Sequence, residues 1–256
     1  MTQRVTIGAR FAGPPGSANG GYTCGVLAAQ VQGRPGGPVA ATLRRPPPLD
    51  RPMDARLAAA GGVSLYDGDV LIAEAAPAPD AVLHVVDPVD FQDAAALGPT
   101  YAGLTAHPFP GCFVCGVARP AGDGMGLRPG RLPDQPETTA SAWRPQSSLP
   151  HQGGKIKREI VWAALDCPGG WTVDLIGRPA VLGRLTAVVD DQPQIGEPCV
   201  VMGRLLRQDG RKSITATTLY DGDGRILGRA EAVWIEVSVP GMDEPPSSSS
   251  EEGRLD

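Results

Sequence analysis

The chain has 256 residues, with Lys+Arg 23 against Asp+Glu 28, and 41% of it is hydrophobic, enough to bury a real core and to exclude wholesale disorder. Gly 34 and Pro 27 make up almost a quarter of the residues, which favours short elements joined by tight turns over a long-helix bundle. Residues 241–256 carry five acids (Asp243, Glu244, Glu251, Glu252, Asp256) against Arg254, so the net charge of -5 is mostly tail and the near-neutral body offers no basic footprint for nucleic acid. No apolar run approaches the roughly 20 residues that cross a bilayer, and the opening MTQRVTIGAR lacks a signal-peptide apolar stretch. The expectation is a soluble, cytoplasmic protein with no membrane partner, whose five cysteines are reduced thiols and not a disulfide framework.

Taken in chain order, residues 4–11 read as a strand and 20–32 as a helix. Strands follow near 39–43, 53–65 and 70–75, then a connecting helix over 87–97. Residues 99–111 read as a linker. Short strands over 126–132 and 138–143 precede a second helix, IKREIVWAALDC, over 156–167. Four Val/Ile/Leu/Thr-rich strands complete the pattern at 180–189, 199–206, 213–220 and 226–237, with Gly, Pro or Asp-Gly turns between them. The final GMDEPPSSSSEEGRLD has almost nothing to bury and reads as a disordered acidic, Ser-rich tail.

An internal repeat organises these elements. LYDGD occurs at 65–69 and again at 219–223. Each copy is followed by Ala-Glu-Ala (73–75 and 230–232) and preceded by Gly-Arg-Pro (33–35 and 177–179), with the best helix candidate of its half before that. The halves read as diverged copies of one unit, a helix followed by antiparallel strands that wrap it. The expected organisation is one unit over 1–98, a linker over 99–111, a second unit over 112–240 and the tail over 241–256.

One helix cradled by an antiparallel sheet is the hotdog unit, and particular residues carry the likeness. GPPGSANGGYTCGVLAAQ followed by AATLRRPPPLDRPM resembles the first half of tandem-hotdog acyl-CoA thioesterases, in which a Gly-Gly turn opens the helix. CFVCG and GMGLRPG, from Cys112 to Gly130, resemble the lead-in of phenylacetate-pathway-type hotdog thioesterases. WAALDCPGGW is similar to the Leu-Ala-Asp helix of that group. The resemblance covers most of residues 4–238. It implies an α+β fold of two fused hotdog units forming a pseudo-dimer.

In single-hotdog thioesterases one helix carries both the Gly-Gly and, two turns later, an acid; two subunits pair to bring the glycine of one to the acid of the other. Here the features are divided. The first helix has Asn19-Gly20-Gly21 but only Leu27, Ala28 and Ala29 two turns on, whereas the second has Asp166 but Arg158–Glu159 at its start. One composite site, Gly20 and Gly21 with Asp166, is therefore expected to remain, its pseudo-symmetric partner being lost.

The chemistry fits those residue types. Unpaired N–H groups at a helix start can stabilise a developing oxyanion, and glycine lets a carbonyl approach them; an ordinary N-cap with close packing is the competing account. Asp166 follows the apolar IVWAAL near a helix end, where neither propensity nor the dipole favours an acid; a base or nucleophile explains it, while an outward-turned residue before Pro168 is the alternative. Asn19 and Glu159 are expected beside the substrate, Asn19 also serving as cap and Glu159 as a first-turn acid. Cys112-x-x-Cys115 after His107 lacks the further ligands zinc wants, unless Cys167 or Cys199 joins by folding, so the pair reads as small buried cysteines in a strand lead-in and no metal is expected. None of His84, His107 or His151 sits in a dehydratase-like motif, and nothing links Cys24 to a base. Arg44 and Arg45 read as strand-end arginines, with CoA phosphates as the other option. The expected function is hydrolysis of an acyl-CoA-type thioester without cofactor, by a chain that stands alone or pairs as a homo-oligomer; the alternative is a hotdog module that binds acyl or other apolar ligands without turning them over.

Overall fold

The computed structural model describes residues 2–32 and 36–238. The expected acidic tail over 241–256 and the first Gly-Arg-Pro at 33–35 lie outside the described residues. The first half supplies β1 (Thr2–Val5), α1 (Gly20–Ala28), β2 (Val39–Leu43), β3 (Met53–Leu57), β4 (Val63–Asp67) and β5 (Val70–Pro77). Then come α2 (Phe91–Leu97), β6 (Gly130–Leu132), β7 (Gln135–Trp143), a small hairpin β8 (His151–Gln152) and β9 (Lys155–Ile156), α3 (Arg158–Ala164) and α4 (Cys167–Gly170). The last four strands are β10 (Ala180–Val189), β11 (Cys199–Asp209), β12 (Lys212–Tyr220) and β13 (Ile226–Glu236).

All strands but β8 and β9 join one sheet in the order β1-β3-β4-β5-β2-β10-β13-β12-β11-β7-β6. Read outward from its centre, β2 matches β10, β5 matches β13, β4 matches β12 and β3 matches β11. The two LYDGD copies fall at the equivalent β4–β5 and β12–β13 turns, and the two Ala-Glu-Ala copies lie in the equivalent strands β5 and β13. The halves meet where β2 runs antiparallel to β10, with Ala41 opposite Leu185. The fold is thus α+β, two hotdog units fused through a continuous sheet that wraps the packed pair α1 and α3.

That helix pair sets the site. Its first member, GGYTCGVLA, is buried on almost every side, Leu27 fully, which by side-chain transfer is worth about 1.5–3 kcal/mol for that residue alone. Gly21 and Gly25, one turn apart, face α3. A Cβ on Gly21 would lie 2.5 Å from Asp166 Cβ and 2.8 Å from the Trp162 carbonyl; one on Gly25 would lie 2.7 Å from Glu159 Cα. Only glycine allows the two backbones this close.

Several element boundaries differ from the sequence expectation. The strand read over 4–11 stops at Val5, and Ala9–Phe11 is a 3-10 turn. The helix read to residue 32 ends at Ala28, because the chain tightens there and the Gln32 N–H turns to the Gly61 carbonyl. The stretch read as one strand over 53–65 is the hairpin β3–β4, reversed at the Ala59–Gly61 turn. In LYDGDG the positive φ falls on Gly224 and not on Gly222, although Gly68 in the first copy does adopt it. Helix α2 packs on β7, β6 and β11 of the second half. The stretch read as a linker is packed too, with Tyr101 buried and its hydroxyl donating to the Cys115 carbonyl.

Candidate active site

The acid comes from the end of the second helix. The α3 helix closes at Ala164, and Asp166 leaves the helical path (φ -88°, ψ -79°) just before Pro168, so its side chain turns toward the start of α1. There Asp166 Oδ2 accepts the Gly21 N–H at 2.9 Å and the Asn19 Nδ2 at 3.2 Å. Asn19 caps α1 with its other amide atom, Oδ1 accepting the Tyr22 N–H at 2.8 Å, so it is both cap and carboxylate donor. The residues divided between the two halves, Asn19, Gly20, Gly21 and Asp166, therefore meet in space.

Asp166 is only 2% exposed, and its second oxygen, Oδ1, is buried without a hydrogen-bond partner. Burial pushes the carboxyl up to about 7, while the Gly21 N–H and the Asn19 amide act to hold it down. Since Gly21 donates to the carboxylate, the free donor of this helix start is the neighbouring Gly20 N–H, which finds no acceptor among the described residues. Asn19, Gly20 and Asp166 line a cavity of about 510 Å³ whose apolar walls include Leu43, Leu182 and Trp234. Arg44 and Arg45 are exposed at the same cavity; Arg44 pairs with Glu74, and Arg45 has no carboxylate partner among the described residues.

Glu159 is not part of this arrangement. Seven residues along an unbroken helix would share a face, but Asp166 departs from that path; Glu159 stays in the first turn of α3 and lines a separate groove with Val26 and Gln30. The groove of about 730 Å³ at the opposite helix ends is lined by Ala28, Ala29, Arg158 and Trp162, and no carboxylate lines it among the described residues.

Sequence spacing missed a second feature of the cavity. Cys112 and Cys115 do not lead into a strand; they sit on a turn, and Cys167, directly after Asp166, joins them. The Cys112 thiol is held well below its ordinary range, first by the thiols of Cys115 and Cys167 and then by backbone N–H groups of Cys115 and Val114. His107 lines the same cavity; its Nδ1 accepts the Phe109 N–H at 2.9 Å and burial pushes the ring below its ordinary histidine value. The one sequence signal for this grouping was the Cys-x-x-Cys itself.

No protein-family model and no curated protein matches the chain. Among solved structures, the chain is similar to a thioesterase-named protein of Novosphingobium aromaticivorans at 16% identity and TM-score 0.64, covering 93% of this chain and 96% of that one. It is similar to the tesB protein of Mycobacterium avium subspecies paratuberculosis at 11% identity and TM-score 0.61, covering 93% of both. It is also similar to a hot dog fold protein of unknown function from Alicyclobacillus acidocaldarius at 13% identity and TM-score 0.57, covering 93% and 94%. Across 93% of its length the chain has the hotdog fold that these proteins share.

Proposed function

We propose that the chain hydrolyses a thioester of the acyl-CoA type at the Asn19–Gly20–Asp166 cavity. The observation that carries this reading is the buried Asp166 carboxyl, fixed through Oδ2 by Gly21 and Asn19 while Oδ1 has no partner. A carboxyl left in this state costs folding free energy that a structural role would not justify. The Gly20 N–H, at the positive end of α1, receives the thioester carbonyl oxygen. Asp166, through Oδ1, takes a proton from water as the water oxygen adds to the carbonyl carbon. The tetrahedral intermediate collapses by breaking the C–S bond, and the departing thiolate takes the proton, giving acid and thiol. Arg45 at the cavity mouth is suited to a phosphate of the thiol carrier.

The test is thiol release from short, medium, long and aromatic acyl-CoAs, with Asp166→Ala and Asp166→Asn alongside. Loss of a general base is expected to lower kcat by roughly 10²–10⁴-fold in both variants with the fold intact. Turnover that survives both substitutions rejects Asp166 as the base. Tight acyl-CoA binding without turnover by the unsubstituted chain replaces this reading with a binding module.

A further inference from the structure

Three cysteines from two distant stretches of chain converge beside the cavity. The sulfurs of Cys112, Cys115 and Cys167 all lie within 4.8 Å of one another, and all three residues are buried. The Cys112–Cys167 separation is 3.8 Å, nearly twice the roughly 2.05 Å of a disulfide. It instead matches the edge of a tetrahedron drawn around zinc, since Zn–S bonds of about 2.3 Å place neighbouring sulfurs about 3.8 Å apart.

The surroundings are arranged for sulfur that carries charge. The turn holding Cys112 and Cys115 closes through the Gly116 N–H on the Cys112 carbonyl at 2.9 Å. A Cβ on Gly116 would lie within 2.4–2.6 Å of backbone atoms of Cys112 and Pro110, so the turn requires glycine directly after the second cysteine. Bonds from Met125 N–H to the Phe113 carbonyl, and from Leu127 N–H to the Val114 carbonyl, fix the same turn. Asn19 Nδ2 reaches Cys112 Sγ at 3.8 Å, and the Trp171 indole N–H, buried without an acceptor, lines the same cavity as the three cysteines. An amide N–H thus reaches one of the sulfurs, and no Lys or Arg side chain is hydrogen-bonded to any of them among the described residues. A soft divalent cation is the partner such a donor set fits.

We propose that Cys112, Cys115 and Cys167 bind one zinc(II) ion as thiolates, with the fourth vertex open to the cavity. Binding forms three Zn–S bonds and releases the three thiol protons to solvent. His107 is not counted as the fourth ligand: it lies outside the cysteine group, and its Nδ1 accepts the Phe109 N–H, which leaves the ring proton on Nε2. The site does not depend on the thioesterase reading, although Asn19 touches both Cys112 and Asp166 and Cys167 follows Asp166 directly.

The test is metal content of the full chain, purified in reductant without chelator. About one zinc per chain is expected, falling to background in Cys112→Ser, Cys115→Ser and Cys167→Ser and retained in Cys24→Ser and Cys199→Ser, whose buried thiols lie outside the cluster. Because the serine variants could unfold, the unsubstituted chain is also stripped and refilled with cobalt(II), which is expected to give a sulfur-to-cobalt charge-transfer band and tetrahedral d–d absorption. Absence of both stoichiometric zinc and the cobalt–thiolate band overturns the site, as does zinc retained by a folded triple-serine variant. Loss of metal with acyl-CoA turnover absent throughout still supports the site and bears on the proposed reaction alone.

Discussion

Gly21 and Asp166 hold one another in place where α1 passes the end of α3. A methyl group at Gly21 meets Asp166 Cβ and the Trp162 carbonyl, both close to backbone that cannot yield. Gly21→Ala is therefore expected to cost about 1–3 kcal/mol in denaturant unfolding. Gly20→Ala is expected to cost less, its new contacts being side-chain atoms of Leu182 and Leu43 at 3.0–3.1 Å. Asp166→Asn makes the opposite prediction for stability: its amide oxygen can still accept the Gly21 N–H while the buried charge is gone, so its unfolding midpoint should not fall even as turnover does. Asp166 and the paired glycines were legible in the sequence because each breaks a local preference, a helix-end acid after an apolar run and two glycines opening a helix. The direction of Glu159 was not legible, since spacing assumes a helix that continues past Ala164. Nor was the cysteine trio, because the contact between Cys112 and Cys167 is set by tertiary packing and leaves no local pattern.

At the scale of elements, the long strands β10 to β13 were readable nearly to their ends, being rich in β-branched residues and bounded by Gly, Pro or Asp-Gly. The β3–β4 hairpin was hidden by the alanines at its turn, which read equally well as strand or helix. The small β8–β9 hairpin was not anticipated at all. It is tied down partly by Lys155, whose ammonium reaches Asp191 at 2.8 Å across two partly exposed side chains. The Lys155 ammonium, followed by the Gln192 N–H, holds the Asp191 carboxyl below its usual range. That contribution is present above the ordinary carboxylate value of about 3.9 and is lost as pH falls through the lower folded-state value. Lys155→Ala should cost less than about 1 kcal/mol near neutrality, and denaturation curves of the two chains should converge in strong acid or high salt.

The whole molecule depends on the seam between β2 and β10, where every strand to one side comes from the first half and every strand to the other from the second. Ala41 lies in the middle of β2, paired on one side with Leu185 and on the other with Ala75. Proline there removes a ladder hydrogen bond in a strand with neighbours on both edges. Ala41→Pro should cost about 3 kcal/mol or more, measured as a lowered denaturation midpoint of the full chain. Joining the halves in one polypeptide has a genetic effect as well. In a homodimer each codon writes the same residue at both symmetry-related clefts, so no change can be confined to one of them. Here one helix could keep its glycines and the other its acid, and Arg158 and Trp162 could occupy the second cleft, without either change being copied into the first.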